Sequence, residues 1–593
     1  MIPSRPPRRS TAFRLLLPSV LTASLVVLAA ITLRTQAPAA DLVVLNGKIV
    51  TLDAQSRVAE ALAIRDGVFV AVGSGDEIRP HIGEGTRVVD AGGRMVIPGL
   101  IDSHVHALGV AAEEARQPFV DLRSIAEMQA WIRRRAAELP EGTWIWSPRV
   151  FPTRVRERRF PTREELDAAA PAHPVVIDGA YALMVNTAAL EAAGITADTP
   201  DPPGGAIVRD ARGNPTGLLR NVGNLLSRFR PAGGRMPLEK LEEVHRHYLR
   251  TGITSIVERL SDVGGYRAYR ALQEQSRLGV RATVTLNVAS DGTAADTEGF
   301  IRSLPVRFGE GDDWLKVGPL KVIADGGILA GTAYMREPYG ERAAQLYGVA
   351  DPGYRGFLTR TPEALHAIVR TAHRLGWQMA VHVTGDAGVD TVLDAFEAAN
   401  RDASIADRRF TLIHAYFANP QTAARAARLG VLVDTQPAWY YKDADALVDA
   451  LGEARLEPFI GLDTWLDAGA TVALNTDHMF GLDANSAMNP YNPFLTMYVA
   501  VTRRTEGGRV IGAGQAVPRE RALRMMTTEA ARFSFDESKK GSIEVGKLGD
   551  FVVLSDDYFA VPDERIRHIT AVLTVVGGRV AWDADQARSQ PSR

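Results

Sequence analysis

Two histidines one residue apart, His104 and His106, end the apolar run in "VIPGLIDSHVHALG". Alternate residues of a strand point to one side, so both imidazoles share a face. Two neutral imidazoles held this close suit a single divalent metal. Other apolar runs end in residues of the same kind. His382 closes the run in "QMAVHVTGD", His414 that in "FTLIHA" and Asp477 that in "TVALNTD". One strand-end histidine is ordinarily structural, but the recurrence of such endings points to a shared site. A second His-x-His pair, His245 and His247 in "LEEVHRHYLR", reads as helix. There i and i+2 do not share a face, and both are expected at the surface.

Lys321 in "GPLKVIADGG" stands among Leu320, Val322 and Ile323. Such a lysine is costly to bury charged. Burial and nearby cations lower its pKa and expose a neutral amine. That amine can add CO2 to give an anionic carbamate able to bridge two metals. The plain alternative is a lysine that reaches solvent or pairs with Asp325.

The elements that must position these residues follow from the texture of the chain. From Ile97 to about Asp477 short apolar runs alternate with amphipathic helices. The runs are "VIPGLIDSH", "ITSIVE", "ATVTLNV", "VGPLKVIAD", "MAVHV", "TLIH", "VLVDT" and "TVALNTD". Eight strand–helix units are the count of a (β/α)8 barrel, whose catalytic mouth lies at the C-terminal strand ends. The chain between the first two runs is far longer than a βα loop needs. It reads as a cap insertion at about 110–245. Both ends of the chain are β-rich, with Asn46-Gly47 and Asp66-Gly67 as hairpin signals. The expected organisation is a small β-sandwich from residues 41–96 and 538–585, a distorted TIM barrel over 97–537, and a tail at 586–593.

The chain has 593 residues, no cysteine, 46% hydrophobic and 23% charged residues, and a net charge of -2. Disulfides, thiolate ligands and a cysteine nucleophile are therefore excluded. The charge balance gives no reason to expect nucleic acid as a partner. Gly92-Gly93 and Gly326-Gly327 lack the spacing of a phosphate-binding loop. At the start, Arg5, Arg8, Arg9 and Arg14 precede an apolar run from Leu15 to Leu33, followed by Ala37-Pro38-Ala39. This is the grammar of a signal peptide over residues 1–40, with an uncleaved membrane anchor as the alternative. Either places the main body outside the cytoplasm.

Taken in order, "PGLIDSHVH", "KVIADGG", "VHVTGD", "LIHA" and "ALNTDH" resemble the amidohydrolase superfamily, and within it the YtcJ-like amidohydrolase 3 family, which includes N-substituted formamide deformylases. The resemblance runs from about Asp41 through "GSIEVGKLGDFVVL". It implies a distorted (β/α)8 barrel beside a β-sandwich, and a metal-dependent hydrolase of carbon–nitrogen bonds other than peptides. It implies one or two divalent metals, zinc first. His104 and His106 would bind the more buried ion with Asp477, which would also act as general base. Lys321, as a carbamate, would bridge to a second ion on His382 and His414. The chain departs from the family pattern in three places. Ile413 precedes His414 where relatives often carry Glu, Tyr181 replaces a cap histidine, and Asn475-Thr476-Asp477-His478 replaces the commoner Gly-Ser-Asp.

The implied reaction is attack of an acidified water on a carbonyl. A divalent cation brings the pKa of its water from about 15.7 to about 7, and Asp477 relays the proton to the departing amine. Trp439, Tyr440, Tyr441, Tyr181 and Trp314 are expected at the pocket, with the loop after Asp477 above it. They favour an apolar or aromatic amide as substrate. Other readings are a lactonase, esterase or phosphotriesterase on the same site, a catalytically silent exported binding protein, and a membrane-anchored module. Homo-oligomerisation stays open.

Overall fold

A computed structural model describes residues 38–230 and 236–589. Nearly all of the leader read in residues 1–40, and the end of the tail, lie outside these residues. No described helix is long and apolar enough to cross a membrane.

Eight parallel strands form the central sheet, and each coincides with one of the eight apolar runs. They are β1 Leu100–Val105, β2 Ile253–Ser261, β3 Arg281–Asn287, β4 Leu315–Ile323, β5 Met379–Val383, β6 Thr411–His414, β7 Leu432–Thr435 and β8 Thr471–Leu474. Each strand pairs with the next in sequence, from β1 through β8. Near-continuous burial along them is what a parallel sheet covered by helices requires. Closure comes just beyond β8. Asp477 N donates to His104 O at 2.9 Å and His106 N to His478 O at 2.9 Å. Register shifts in the pairs β1–β2, β2–β3 and β3–β4 distort the barrel on that side.

The two chain ends meet in a six-stranded sheet, where Phe551, Val552 and Val553 pair antiparallel with Pro98, Ile97 and Val96. A four-stranded sheet made only of N-terminal strands packs on it, through Leu42, Ile64 and Phe69 against Phe551 and Val575. The "VIP" that opens the first apolar run thus belongs to the sandwich, and barrel strand β1 starts only at Leu100. Asp66-Gly67 forms the expected hairpin, with φ of 52° and 78°. Asn46-Gly47 does not. Asn46 turns with φ 53°, but the strands on either side of it, Leu42–Leu45 and Lys48–Val50, enter different sheets.

Between β1 and β2 lies a five-stranded sheet, with its strands within residues 145–220 and apolar clusters of its own. The helix that follows, Leu238–Arg250, instead packs into the barrel's core through Leu241, Val244, Tyr248 and Leu249. Its i, i+3, i+4, i+7 stripe corrects one expectation. His245 lies on that stripe, fully buried and stacked on Tyr269 at 5.5 Å between ring centres, while His247 stays half-buried.

Candidate metal centre and active site

The hydrogen bonds that close the barrel also set three side chains against one another. His104 Nε2 and His106 Nε2 are 3.3 Å apart. Asp477 Oδ1 lies 3.3 Å from the first and 3.0 Å from the second. Asp477 is held there by a left-handed backbone, φ 50°, which costs a non-glycine residue of order 1–3 kcal/mol. Its Oδ2 accepts the Trp439 indole N–H at 3.0 Å, and its carbonyl accepts from Asn489 Nδ2 at 2.7 Å.

A layer of buried polar groups lies beneath this triangle. Asp434, at the end of β7, accepts from Ser103 Oγ at 2.7 Å, from Arg259 Nη2 at 2.8 Å and from Asn475 Nδ2. One of its oxygens is 3.7 Å from His104 Nδ1. Arg259 Nε also donates to Ser103 O at 2.9 Å, tying β2 to β1. Asp102 accepts from Thr476 Oγ1 at 2.6 Å. Burial pushes its carboxyl up to about 7.

The triangle suits a divalent cation on its own chemistry. Asp477 Oδ1 is buried without a hydrogen-bond partner among the described residues, and the Nε2 atoms of His104 and His106 both face it. Burial also drives the pKa values of His104, His106, His382 and His414 below the ordinary histidine value. All four imidazoles are thus neutral at neutral pH, the form that offers a lone pair.

Lys321, His382 and His414 line the same cavity but stand outside the tight triangle. The His382 and His414 rings are 4.4 Å apart, and the His104 and His414 rings 5.4 Å. His382 Nε2 is 3.2 Å from Tyr181 Oη and 3.2 Å from Gly326 O. His414, with φ 76°, places Nδ1 2.6 Å from Gln436 Oε1 and 3.1 Å from Tyr416 Oη. Burial lowers the Lys321 pKa to about 8, against the pull of Asp477.

The cavity measures about 710 Å³ and opens between barrel and cap. Trp439 and Tyr181 line it as expected, with Phe151, Arg149, Met479 and Phe480. Trp314 does not. It immediately precedes β4, at the opposite end of the barrel, where Arg281 stacks on its ring at 4.7 Å. Tyr440 and Tyr441 also turn away, because the helix Pro437–Leu451 directs neighbouring residues to different faces. The Tyr440 hydroxyl donates to Arg503 O and accepts from the Ile511 N–H at 2.9 Å. Several residues of the site escaped the reading of the sequence: Arg149, Arg259, Tyr416, Asp434 and Gln436. Arg259 and Asp434 carried the signal that picked out Lys321, a charge inside an apolar strand.

Comparison with known proteins agrees with this fold. The model of the amidohydrolase family matches residues 87–581. N-substituted formamide deformylase of Arthrobacter pascens is 29% identical over 561 residues, covering 92% of this chain and 98% of that protein. The protein named amidohydrolase YtcJ of Bacillus subtilis (strain 168) is 27% identical over 561 residues, 91% of this chain and 98% of its own. An uncharacterized metal-dependent hydrolase from Pyrococcus horikoshii OT3 shares the fold, with a TM-score of 0.64 at 22% identity over 88% of this chain and 99% of that one. The chain therefore belongs to the amidohydrolase family of hydrolases.

Proposed function

We propose that this hydrolase cleaves a carbon–nitrogen bond, other than a peptide bond, in a small amide-like substrate. The observation that carries the reading is the convergence of His104 Nε2, His106 Nε2 and Asp477 Oδ1 within 3.3 Å at the mouth of the barrel. The deformylase relative supports the bond class.

His104, His106 and Asp477 would hold one divalent cation, and an imidazole–carboxylate set favours zinc. Lys321 with His382 and His414 would hold a second. When bound, a cation supplies Lewis acidity at the carbonyl oxygen and an acidified water. The chain's own residues do the rest. Asp477 takes a proton as the water oxygen adds to the carbonyl carbon, then returns it to nitrogen as the C–N bond breaks. One amide and one water become one carboxylic acid and one amine. The Trp439 indole keeps Asp477 Oδ2 in place, so Oδ1 faces the reacting atoms. Burial keeps the Tyr181 phenol protonated, so its hydroxyl serves as a donor from the cap. The Lys321 amine adds to CO2 and releases one proton, giving the carbamate.

Metal content per chain, with protein purified without chelator, tests the reading. Two equivalents, together with a carbamate carbon signal from the intact folded protein supplied with isotope-labelled bicarbonate and lost in Lys321→Ala, support both ion sites. One equivalent keeps the hydrolase and leaves Lys321 an amine. No metal and no rescue by zinc with bicarbonate would overturn it. The basic start and apolar run of residues 1–40 support export, and a mature N-terminus near Asp41 would bear this out.

A further inference from the structure

Two arginines of the cap, five residues apart, are used very differently. Arg154 is saturated. Its Nε and Nη2 grip Asp443 at 2.9 and 2.7 Å, and its Nη1 donates to Met488 O at 2.5 Å. Arg149 is about as buried, 17% against 14% exposed, yet poorly partnered. Its Nε and Nη2 face Asp178 Oδ1 and Oδ2, each only at 3.3 Å, the Nε has no hydrogen-bond partner among the described residues, and its Nη1 meets the Met479 sulfur at 4.0 Å.

Asp178 holds it only loosely, because its shorter bonds go elsewhere. Oδ1 accepts the Ala180 N–H at 2.8 Å and Oδ2 accepts Arg230 Nη2 at 2.6 Å. One carboxylate thus faces two guanidiniums, both lining the cavity, and a surplus positive charge remains. Arg149 lines the cavity together with His106, Tyr181 and Asp477, so it faces the reaction centre. The Phe480 ring lies under the guanidinium at 5.3 Å and holds it flat. Around it the wall is apolar, with Phe151, Met236, Leu260 and Leu329. The guanidinium edge turned from Asp178, at Nη1, presents donors in a fixed plane to a carboxylate.

We propose that Arg149 docks a carboxylate of the substrate, so that the site takes amides carrying one anionic group on an apolar body. This rests on the amide reading above, and the test separates the two. The first arm compares N-benzylformamide with 4-(formamidomethyl)benzoate. The expected kcat/KM ratio in the wild type favours the carboxylate by about 10- to 100-fold, the worth of a hydrogen-bonded charge. Arg149→Met brings the ratio to about one, and Arg149→Lys keeps part of it. A wild type that prefers the neutral amide overturns the proposal whether or not the variants fold, and so does a ratio unmoved by Arg149→Met. The second arm measures calorimetric binding of 4-ethylbenzoate and 4-ethylbenzyl alcohol, neither of which is an amide. Tighter binding of the benzoate, lost in Arg149→Met, supports the carboxylate dock even if neither formamide is cleaved, an outcome that would sink the amide reading alone. Benzoate binding that survives Arg149→Met overturns the dock.

Discussion

The two ends of the barrel solve opposite problems. At the N-terminal end Arg281 forks onto Asp550, with Nε–Oδ2 2.7 Å and Nη2–Oδ1 2.9 Å, and its Nη1 donates to Asp313 O at 2.9 Å. Trp314 covers the guanidinium, and Asp550 also accepts the Gly577 N–H at 2.7 Å. This pair joins β3 to the sandwich. At the C-terminal end Asp477 Oδ1, both Nδ1 atoms of the His-x-His pair and Glu258 Oε1 are buried without a hydrogen-bond partner among the described residues. His414, Ala415 and Asp477 there hold left-handed backbones, with φ of 76°, 46° and 50°. Each unmet group costs about 1–3 kcal/mol. One end is built for cohesion. The other keeps unmet polar groups, and one of them, Asp477 Oδ1, faces the cavity where a ligand can meet it.

The sharpest break between the ends should come from exchanging one charge at each. Asp477→Asn is expected to lower kcat/KM by roughly 10³- to 10⁴-fold, as loss of a base that also positions its neighbours does. Its melting temperature should stay near that of the wild type. Amide turnover and a thermal melt check this, and wild-type turnover would remove Asp477 from the chemistry. Arg281→Met should do the reverse. It leaves Asp550 buried and unpaired, a loss of about 3–5 kcal/mol in urea unfolding, with unchanged turnover per folded molecule. A loss of turnover without a loss of stability would erase the distinction.

Glu258 sharpens the comparison through pH. It sits at the mouth, accepting the Leu108 N–H at 3.0 Å and the Tyr269 hydroxyl at 2.9 Å, and thus fixes the start of the helix that follows His106. Burial raises its pKa from 4.5 to about 7. The folded chain therefore holds a proton that the unfolded chain releases. That stabilisation is complete below about 4.5 and is lost as pH rises through about 7. Glu258→Gln mimics the protonated form and escapes the loss. Its urea stability should match the wild type at pH 4.5 and exceed it by up to about 3 kcal/mol at pH 8. A glutamine variant less stable than the wild type at pH 8 would show that the carboxylate is welcome there.

The barrel was legible because its strands are buried on both sides. Eight apolar runs were visible without any knowledge of pairing, and each became a strand. His104, His106, His382, His414 and Asp477 were legible because the barrel brings strand ends together, so one periodic position serves all of them. What failed depended on direction rather than on element. Trp314 was placed at the mouth although it precedes its strand. Tyr440 and Tyr441 were grouped with Trp439, although a helix separates neighbours by about 100°. Asn46-Gly47 carries hairpin chemistry, but the chain uses it to cross from one sheet to another. Arg149 was illegible because its meaning lies in how Asp178 is shared with Arg230, a competition between residues far apart in sequence.

The smallest effect tests whether the mouth's second histidine pair is tuned for a ligand. Gln436 Oε1 lies 2.6 Å from His414 Nδ1, and its Nε2 donates to Asp434 O at 3.1 Å, which fixes the amide's orientation. The His414 proton is then held on Nδ1, and the lone pair falls on Nε2. Partners of this kind are worth about 10- to 100-fold in metal affinity. Gln436→Leu should weaken the second equivalent of zinc by about that factor in a competition titration against a chelator, and leave the first within a few-fold. Gln436→Glu, which keeps the acceptor and adds charge, should hold the second ion at least as tightly as the wild type. If both variants bind two ions as the wild type does while losing stability, Gln436 belongs with Arg281 and Asp550 among the groups that serve cohesion. The division between the two ends would then run through the mouth itself.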